Sequence, residues 1–286
     1  VSLAFPRWQR EAEYFEPSLA ASDRLFFESS KYRSGEIGGS QGPLAPTVGV
    51  EHEQPDLSGP ALKLPGPGIL NSSLGDALRL RRSGYGNYGS HLTIEQLSTL
   101  LGHAAAVVPE RTITRDVRTF SYRTYPSPSG AYAIETWLIG RQVEDLAAGL
   151  YRYQADDHAL MMVDRFDPPR FLENVSPFFV SEAEDGPQVT AFTVPALIVL
   201  AADLSRLRPR YGLRALRLVL LEAGHLAQNL GLVAAATGLS SAHLSGYNDD
   251  ELNSRLHLDG VDRIAVALLP IGCDETERPS NETRKT

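Results

Sequence analysis

The chain has 286 residues, of which 42% are hydrophobic and 22% charged, and a net charge of −8. This is enough apolar material for a core and excludes global disorder, while the acidic balance argues against a general nucleic-acid or anionic-membrane binder. A single cysteine, Cys273, excludes a disulfide framework and a multi-cysteine metal centre. No uncharged apolar run reaches the ~18 residues of a membrane span, and the first residues lack the pattern of a signal peptide. A cytoplasmic location is therefore the default expectation.

Residues 1–70 read as an irregular arm. Glycine and proline recur from Gly35 to Gly68, which no long helix or central strand tolerates. Only Arg7 to Phe15 suggests a short helix. Regular structure is expected over 71–273, with a frayed, charged tail over 274–286. Asn71, Ser72 or Ser73 can cap a helix through Leu80. Thr93 with Gln96 forms a capping-box pattern that opens a helix over Ile94 to Val107. Val117 to Tyr125 is rich in Thr, Tyr and Phe and reads as a strand. Ile134 to Ile139, Gly149 to Tyr153 and Ala159 to Val163 read as further strands, the last two joined in a hairpin. Val194 to Ala201 is a continuous apolar run, as for a strand covered on both faces. Residues 213–237 form the longest helix. It is apolar almost all round, which predicts burial on every side, partly against another subunit. Asp249 to Leu256 and Ile264 to Ile271 complete the chain as helix and strand. The mixture lacks the regular alternation of a doubly wound sheet and is assigned to the α+β class.

Several segments invite a chemical reading. Gly84 to Gly89 fits G-x-G-x-x-G, but a helix precedes it where a dinucleotide fold needs a strand, so an ordinary glycine-rich loop is the simpler reading. Glu222 and His225 have the spacing of a di-iron ligand pair, yet the second pair is missing. With Asn229 they share one helix face, which favours a buried hydrogen-bond network over a metal. No nucleophile elbow, H-E-x-x-H or Walker motif occurs. Arg81, Arg82 and Ser83 offer two guanidinium groups and a hydroxyl suited to a phosphate. Pro126, Ser127, Pro128, Ser129 and Gly130 are small residues that allow close approach of a flat ligand, and equally ordinary turn material.

Taken in order, these segments resemble the FMN-binding nitroreductase superfamily. Arg81-Arg82-Ser83 followed by Leu92 to Leu101 resembles its opening. Pro126 to Glu135 resembles the P-S-A-G-A-L-Y-P-L-E stretch of one branch, the SagB-type azoline dehydrogenases. Gly149 to Tyr153, Leu221 to Leu230, Gly246 to Asn253 and Leu258 to Gly260 resemble further motifs of that branch. Phe27 to Lys31 resembles its short N-terminal tag. The likeness runs over roughly residues 25 to 273.

The resemblance implies a homodimer with FMN at the subunit interface. It implies that Arg81, Arg82 and Ser83 hold the phosphate and ribityl chain, and that Pro126 to Gly130 pass close to the isoalloxazine ring. Ser245 and Gly246 would lie near the reactive edge. Many superfamily members carry a further basic residue where this chain has Tyr85. Arg278 is an additional phosphate candidate, and no metal is implied. The branch oxidises thiazolines and oxazolines in peptides to thiazoles and oxazoles, beside a cyclodehydratase. Its Lys-Tyr pair, associated with proton transfer, corresponds here to Arg210-Tyr211. Arginine is always protonated and cannot act as the base. The expectation is that Tyr211 exchanges the proton, Arg210 favours its ionised form by charge, and dioxygen reoxidises the flavin. Two other functions remain open at this point. One is a general NAD(P)H-fed flavin reductase of nitro or quinone substrates; the other is a non-catalytic scaffold of a modification complex. The arm over 1–70 is expected to clasp the other subunit or bind a peptide leader.

Overall fold

The computed structural model describes residues 22, 25–31, 61–86, 88–89, 91–115, 118–165, 168–182 and 188–273. The expected helix over 7–15, most of the Gly/Pro-rich stretch, Arg278 and the tail 274–286 lie outside the described residues.

After a helical turn over residues 25–29, side-chain caps fix the next two helices. Ser73 Oγ accepts from the Asp76 N–H and starts α1 (Leu74–Leu80). Thr93 and Gln96 make both bonds of the capping box that opens α2 (Ile94–Ala104), a turn shorter than expected. The predicted strand over Val117 to Tyr125 is mostly loop. Only β3 (Arg118–Phe120) forms, paired with β2 (Ile113–Arg115). Beyond it, Arg123 makes only an isolated antiparallel bridge to Val107, and its N–H donates to the Tyr132 hydroxyl.

The remaining strands are found where the apolar patterns place them. They are β4 (Ile134–Gly140), β5 (Gly149–Gln154), β6 (Ala159–Asp164), β9 (Ala196–Asp203) and β11 (Arg263–Cys273). With β1 (Ala61–Lys63) and β10 (Leu239–Ser241) they form a seven-stranded sheet in the order β1-β6-β5-β4-β9-β11-β10. Every neighbouring pair in it is antiparallel. The last ten residues of the expected arm thus include an edge strand of the main sheet. A short parallel pair, β7 (Phe179–Val180) and β8 (Val189–Thr190), stands apart.

All eight residues of β9 are buried, because a separate apolar core covers each face of the sheet. One face packs α2 and α5 (Arg214–Ala236), with Val219, Leu226 and Leu230 fully buried. The other packs Trp137 and Val199 against α3 (Pro168–Val175) and α6 (Asp249–Arg255). Each fully buried leucine contributes roughly 1.5–3 kcal/mol.

By length and composition α5 passes for a membrane-crossing helix, but it lies across the sheet. It is not buried on every side within one chain. Leu213, Leu220 and Leu221 are 59%, 49% and 61% exposed. Part of its first half is covered by residues 25–31. There Arg217 lies over the Phe27 ring at 4.9 Å, and Arg214 and Arg217 donate to the carbonyl and hydroxyl of Ser30.

Candidate active site

The site begins with a buried carboxylate. Glu222 sits in α5 facing the sheet and is fully inaccessible. One oxygen accepts from the Ile134 N–H at 3.2 Å and the other from the Ser127 hydroxyl at 2.8 Å. Ser127 Oγ in turn accepts from the Tyr132 N–H at 2.7 Å. The turn over residues 126–132 is therefore tied down from beneath by a side chain 95 positions away in sequence. Burial pushes the Glu222 carboxyl up to about 7, against the lowering effect of its two hydrogen bonds and of Arg123 and Arg206.

Anchored this way, the turn holds Ser129 at φ 56° and Tyr132 at φ 46°, in the left-handed region that side chains other than glycine and asparagine seldom adopt. The consequence is an exposed Ser129 whose Oγ is hydrogen-bonded to the hydroxyl of Tyr211, 82 positions on. Tyr211 ends the short helix α4 (Arg208–Tyr211), which Gly212 terminates at φ 53°. The Arg210 guanidinium lies over the Tyr211 ring, 5.4 Å from its centroid. It contacts the face of the ring, an arrangement favoured by the ring quadrupole. Tyr132 and Tyr125 meet edge to face behind the turn, and Arg123 donates to the Tyr125 hydroxyl at 3.1 Å. Burial raises Tyr125 to about 12, so it remains a neutral phenol at physiological pH.

The second group of predicted residues lies elsewhere on α5. Arg81, Arg82 and Ser83 are exposed where the chain leaves α1. The aliphatic stem of Arg81 lies near Gly231 of α5, so this turn sits roughly 13 Å further along the helix than Glu222 at 1.5 Å per residue. Gly84 donates its N–H to the Ser241 carbonyl at 2.9 Å and leaves no room for a Cβ beside Ser240. The turn is thereby fixed to β10. Ser245 is exposed in the loop that follows β10, and Gly246 packs close to the Phe178 ring while its carbonyl accepts from Ser176. Within one chain, then, Pro126 to Gly130 meet Tyr211 directly, whereas Arg81 to Ser83 keep company with β10.

The expected face of Glu222, His225 and Asn229 is realised only in part. Asn229 donates to the Ala104 and Thr124 carbonyls at 3.4 and 3.2 Å, and His225 is exposed. Helix rotation explains this: His225 stands about 60° from Glu222 and Asn229 only about 20°. Among the described residues no group of three metal-ligating side chains gathers. The described residues of the Gly84 to Gly89 segment lie outside helices and strands, with one bridge from Gly86 to Val189, and it is the helix α1 that precedes them. The partnership of Ser127 with Glu222 carries no local sequence signal.

Comparison with known proteins agrees with this architecture. Residues 81–273 match the nitroreductase family. The chain belongs to that family, a class of FMN-dependent oxidoreductases. MJ1384, a candidate nitroreductase of Methanocaldococcus jannaschii, is 27% identical over 216 residues, covering 75% of this chain and 98% of that protein. Among solved structures, a candidate nitroreductase of Anabaena variabilis superposes with a TM-score of 0.63 at 24% identity. That likeness covers 87% of this chain, which spans only 45% of the Anabaena chain. A chain of the E. coli microcin synthetase McbBCD complex, solved with truncated pro-MccB17 bound, has a TM-score of 0.56 at 22% identity. There the match covers 95% of this chain and 98% of the other.

Proposed function

We propose that the protein is an FMN-dependent azoline dehydrogenase of the SagB type. It acts as a homodimer on thiazolines or oxazolines of a peptide natural-product precursor, beside a cyclodehydratase or other biosynthetic proteins. The observation that carries this reading is the Ser129–Tyr211 hydrogen bond. It joins the two segments that set the branch apart, the Pro126 to Gly130 turn and the Arg210-Tyr211 pair. The end-to-end match with a microcin synthetase chain supports the same reading.

The residues fit the cofactor. Arg81, Arg82 and Ser83 bring two guanidinium groups and a hydroxyl to one exposed turn, whose position on β10 suits a phosphate. Pro126 to Gly130 offer a rigid surface of small residues for a flat ring, and Ser245 and Gly246 would flank it. The chemistry FMN supplies when bound is acceptance of a hydride at N5, with dioxygen as the final oxidant.

The chain itself handles the proton. Conversion of an azoline to an azole removes one ring C–H as a proton and another as a hydride. Tyr211 Oη takes the proton as it passes its own across the hydrogen bond to Ser129 Oγ, which is exposed and releases one to solvent. Arg210 lies over the ring face, away from the Ser129 hydrogen bond. Glu222 keeps the turn in place through Ser127. The exposed stripe of Leu213, Leu220 and Leu221 is the surface for the second subunit, which brings the two groups of site residues together.

Incubation of the FMN-loaded protein with an azoline-bearing peptide tests the proposal by mass spectrometry. Loss of two hydrogens per ring is expected. No mass change, together with rapid flavin bleaching by NADH, would favour a general flavin reductase. A protein that stays colourless with added FMN would favour a scaffold.

A further inference from the structure

The central seam of the sheet is incomplete. β4 pairs with β9 along its whole length, from Ile134↔Ala202 to Gly140↔Ala196. It pairs with β5 only from Trp137↔Arg152 to Gly140↔Gly149. Beyond Arg152, β5 runs on without a β4 partner, still paired on its other edge with β6 through Tyr153↔Leu160 and Gln154↔Ala159. The two strands thus splay apart, and the wedge between them is a polar cavity of about 40 Å³. That is room for two or three waters, or for one carboxylate-sized group.

Three arginines, Arg123, Arg152 and Arg206, line this wedge. Arg206 donates to Asp203 at 3.1 Å and to the Tyr132 carbonyl at 3.0 Å. Arg152 lies 3.1 Å from Glu135, whose other oxygen accepts from Arg263 at 2.8 Å and from the Trp137 indole at 3.1 Å. Arg123 meets the Tyr125 hydroxyl and the face of Tyr132, and no carboxylate pairs with it among the described residues. Among the described residues, Arg123 is thus a guanidinium on the wedge with no carboxylate against it, whereas Arg206 and Arg152 hold Asp203 and Glu135. Glu222, within electrostatic reach of Arg123 and Arg206, is engaged by Ser127 and Ile134. A guanidinium without a carboxylate at a partly buried cavity is costly, and an anion bound beside it relieves that cost. Guanidinium groups suit planar oxyanions best, because they bind two oxygens at once.

We propose that the wedge between β4 and β5 is a binding site for a compact oxyanion with the chemistry of a carboxylate or phosphate, held by Arg123, Arg152 and Arg206. The anion is either a free ion or an acidic group carried by the substrate. The second source rests on the proposed function. The wedge adjoins the 126–132 turn, since Tyr132 lines it and its N–H donates to Ser127 Oγ.

Thermal unfolding separates these cases without any turnover. Wild type and Arg123→Gln are titrated with formate, phosphate or chloride at constant ionic strength. Formate or phosphate is expected to raise the wild-type melting temperature by about 3 °C over chloride, and Arg123→Gln to lose that difference. Thr136 lines the wedge, so Thr136→Asp places a tethered carboxylate there. It should melt above Thr136→Asn and no longer respond to formate. Azoline peptides bearing Asp or Asn beside the ring then identify the source. Tighter binding of the Asp peptide by about 10-fold, lost in Arg123→Gln, assigns the site to the substrate. Equal binding with the formate response intact assigns it to a free ion. Wild type that responds alike to all three anions would overturn the proposal. So would an Arg123→Gln variant that responds as wild type does, or Thr136→Asp melting below Thr136→Asn.

Discussion

Two buried glutamates lie on opposite sides of β4, and their surroundings could hardly differ more. Glu135 is clasped by Arg263 and Arg152 and by the indole of Trp137. Glu222 touches no cation and accepts from one hydroxyl and one backbone N–H. The same side chain is thus a fixed counter-charge on one side of the sheet. On the other it is a group that titrates near neutrality while holding the reaction turn. A carboxyl bound to neutral donors can change its proton without leaving arginines stranded in the core, whereas Glu135 cannot.

Mutation can break this contrast. Glu135→Gln removes the charge between Arg152 and Arg263 and should cost about 3–5 kcal/mol in urea unfolding. A loss under 1 kcal/mol would show that the two arginines are satisfied without it.

Glu222 should behave oppositely. Its pKa is raised in the folded state, from an ordinary 4.5 to about 7, so the folded protein binds the extra proton. Stability should be highest below about pH 4.5 as far as this group is concerned, and should fall as pH rises through 7. The full difference is up to about 3 kcal/mol, and Glu222→Gln should flatten that slope in unfolding curves taken from pH 5 to 8. An unchanged slope would assign the pH dependence to other groups.

Smaller effects sharpen the picture. Ser129→Ala removes the partner of Tyr211 without touching the Glu222 anchor, and turnover should fall by roughly 10-fold with little change in melting temperature. Phe27→Ala removes the ring beneath Arg217 and should lower stability by about 1 kcal/mol, leaving turnover per folded protein unchanged.

Much of the scaffold is legible in the sequence, and the reasons are local. The Thr93–Gln96 box, the apolar run of β9 and the hairpin of β5 and β6 depend on residues close in the chain. The Val117 to Tyr125 stretch misleads because it pairs only in short pieces, Arg118–Phe120 with β2 and Arg123 with Val107. His225 misleads because two residues of one motif need not face the same way on a helix. The Arg210-Tyr211 and Pro-Ser motifs are visible in the sequence, but their hydrogen bond is not, since it depends on how α4 meets the turn across the fold. The splay of β4 from β5 is hidden for the same reason. It is a property of pairing register, and both strands look regular in isolation.

The most direct test is anaerobic flavin bleaching by an azoline peptide, followed in a stopped-flow instrument for the FMN-loaded wild type and Tyr211→Phe without NADH. Wild type should bleach, and Tyr211→Phe should do so about 100-fold more slowly at equal FMN content. Equal rates in the two proteins, or no bleaching of wild type by the peptide, would contradict the role assigned to Tyr211.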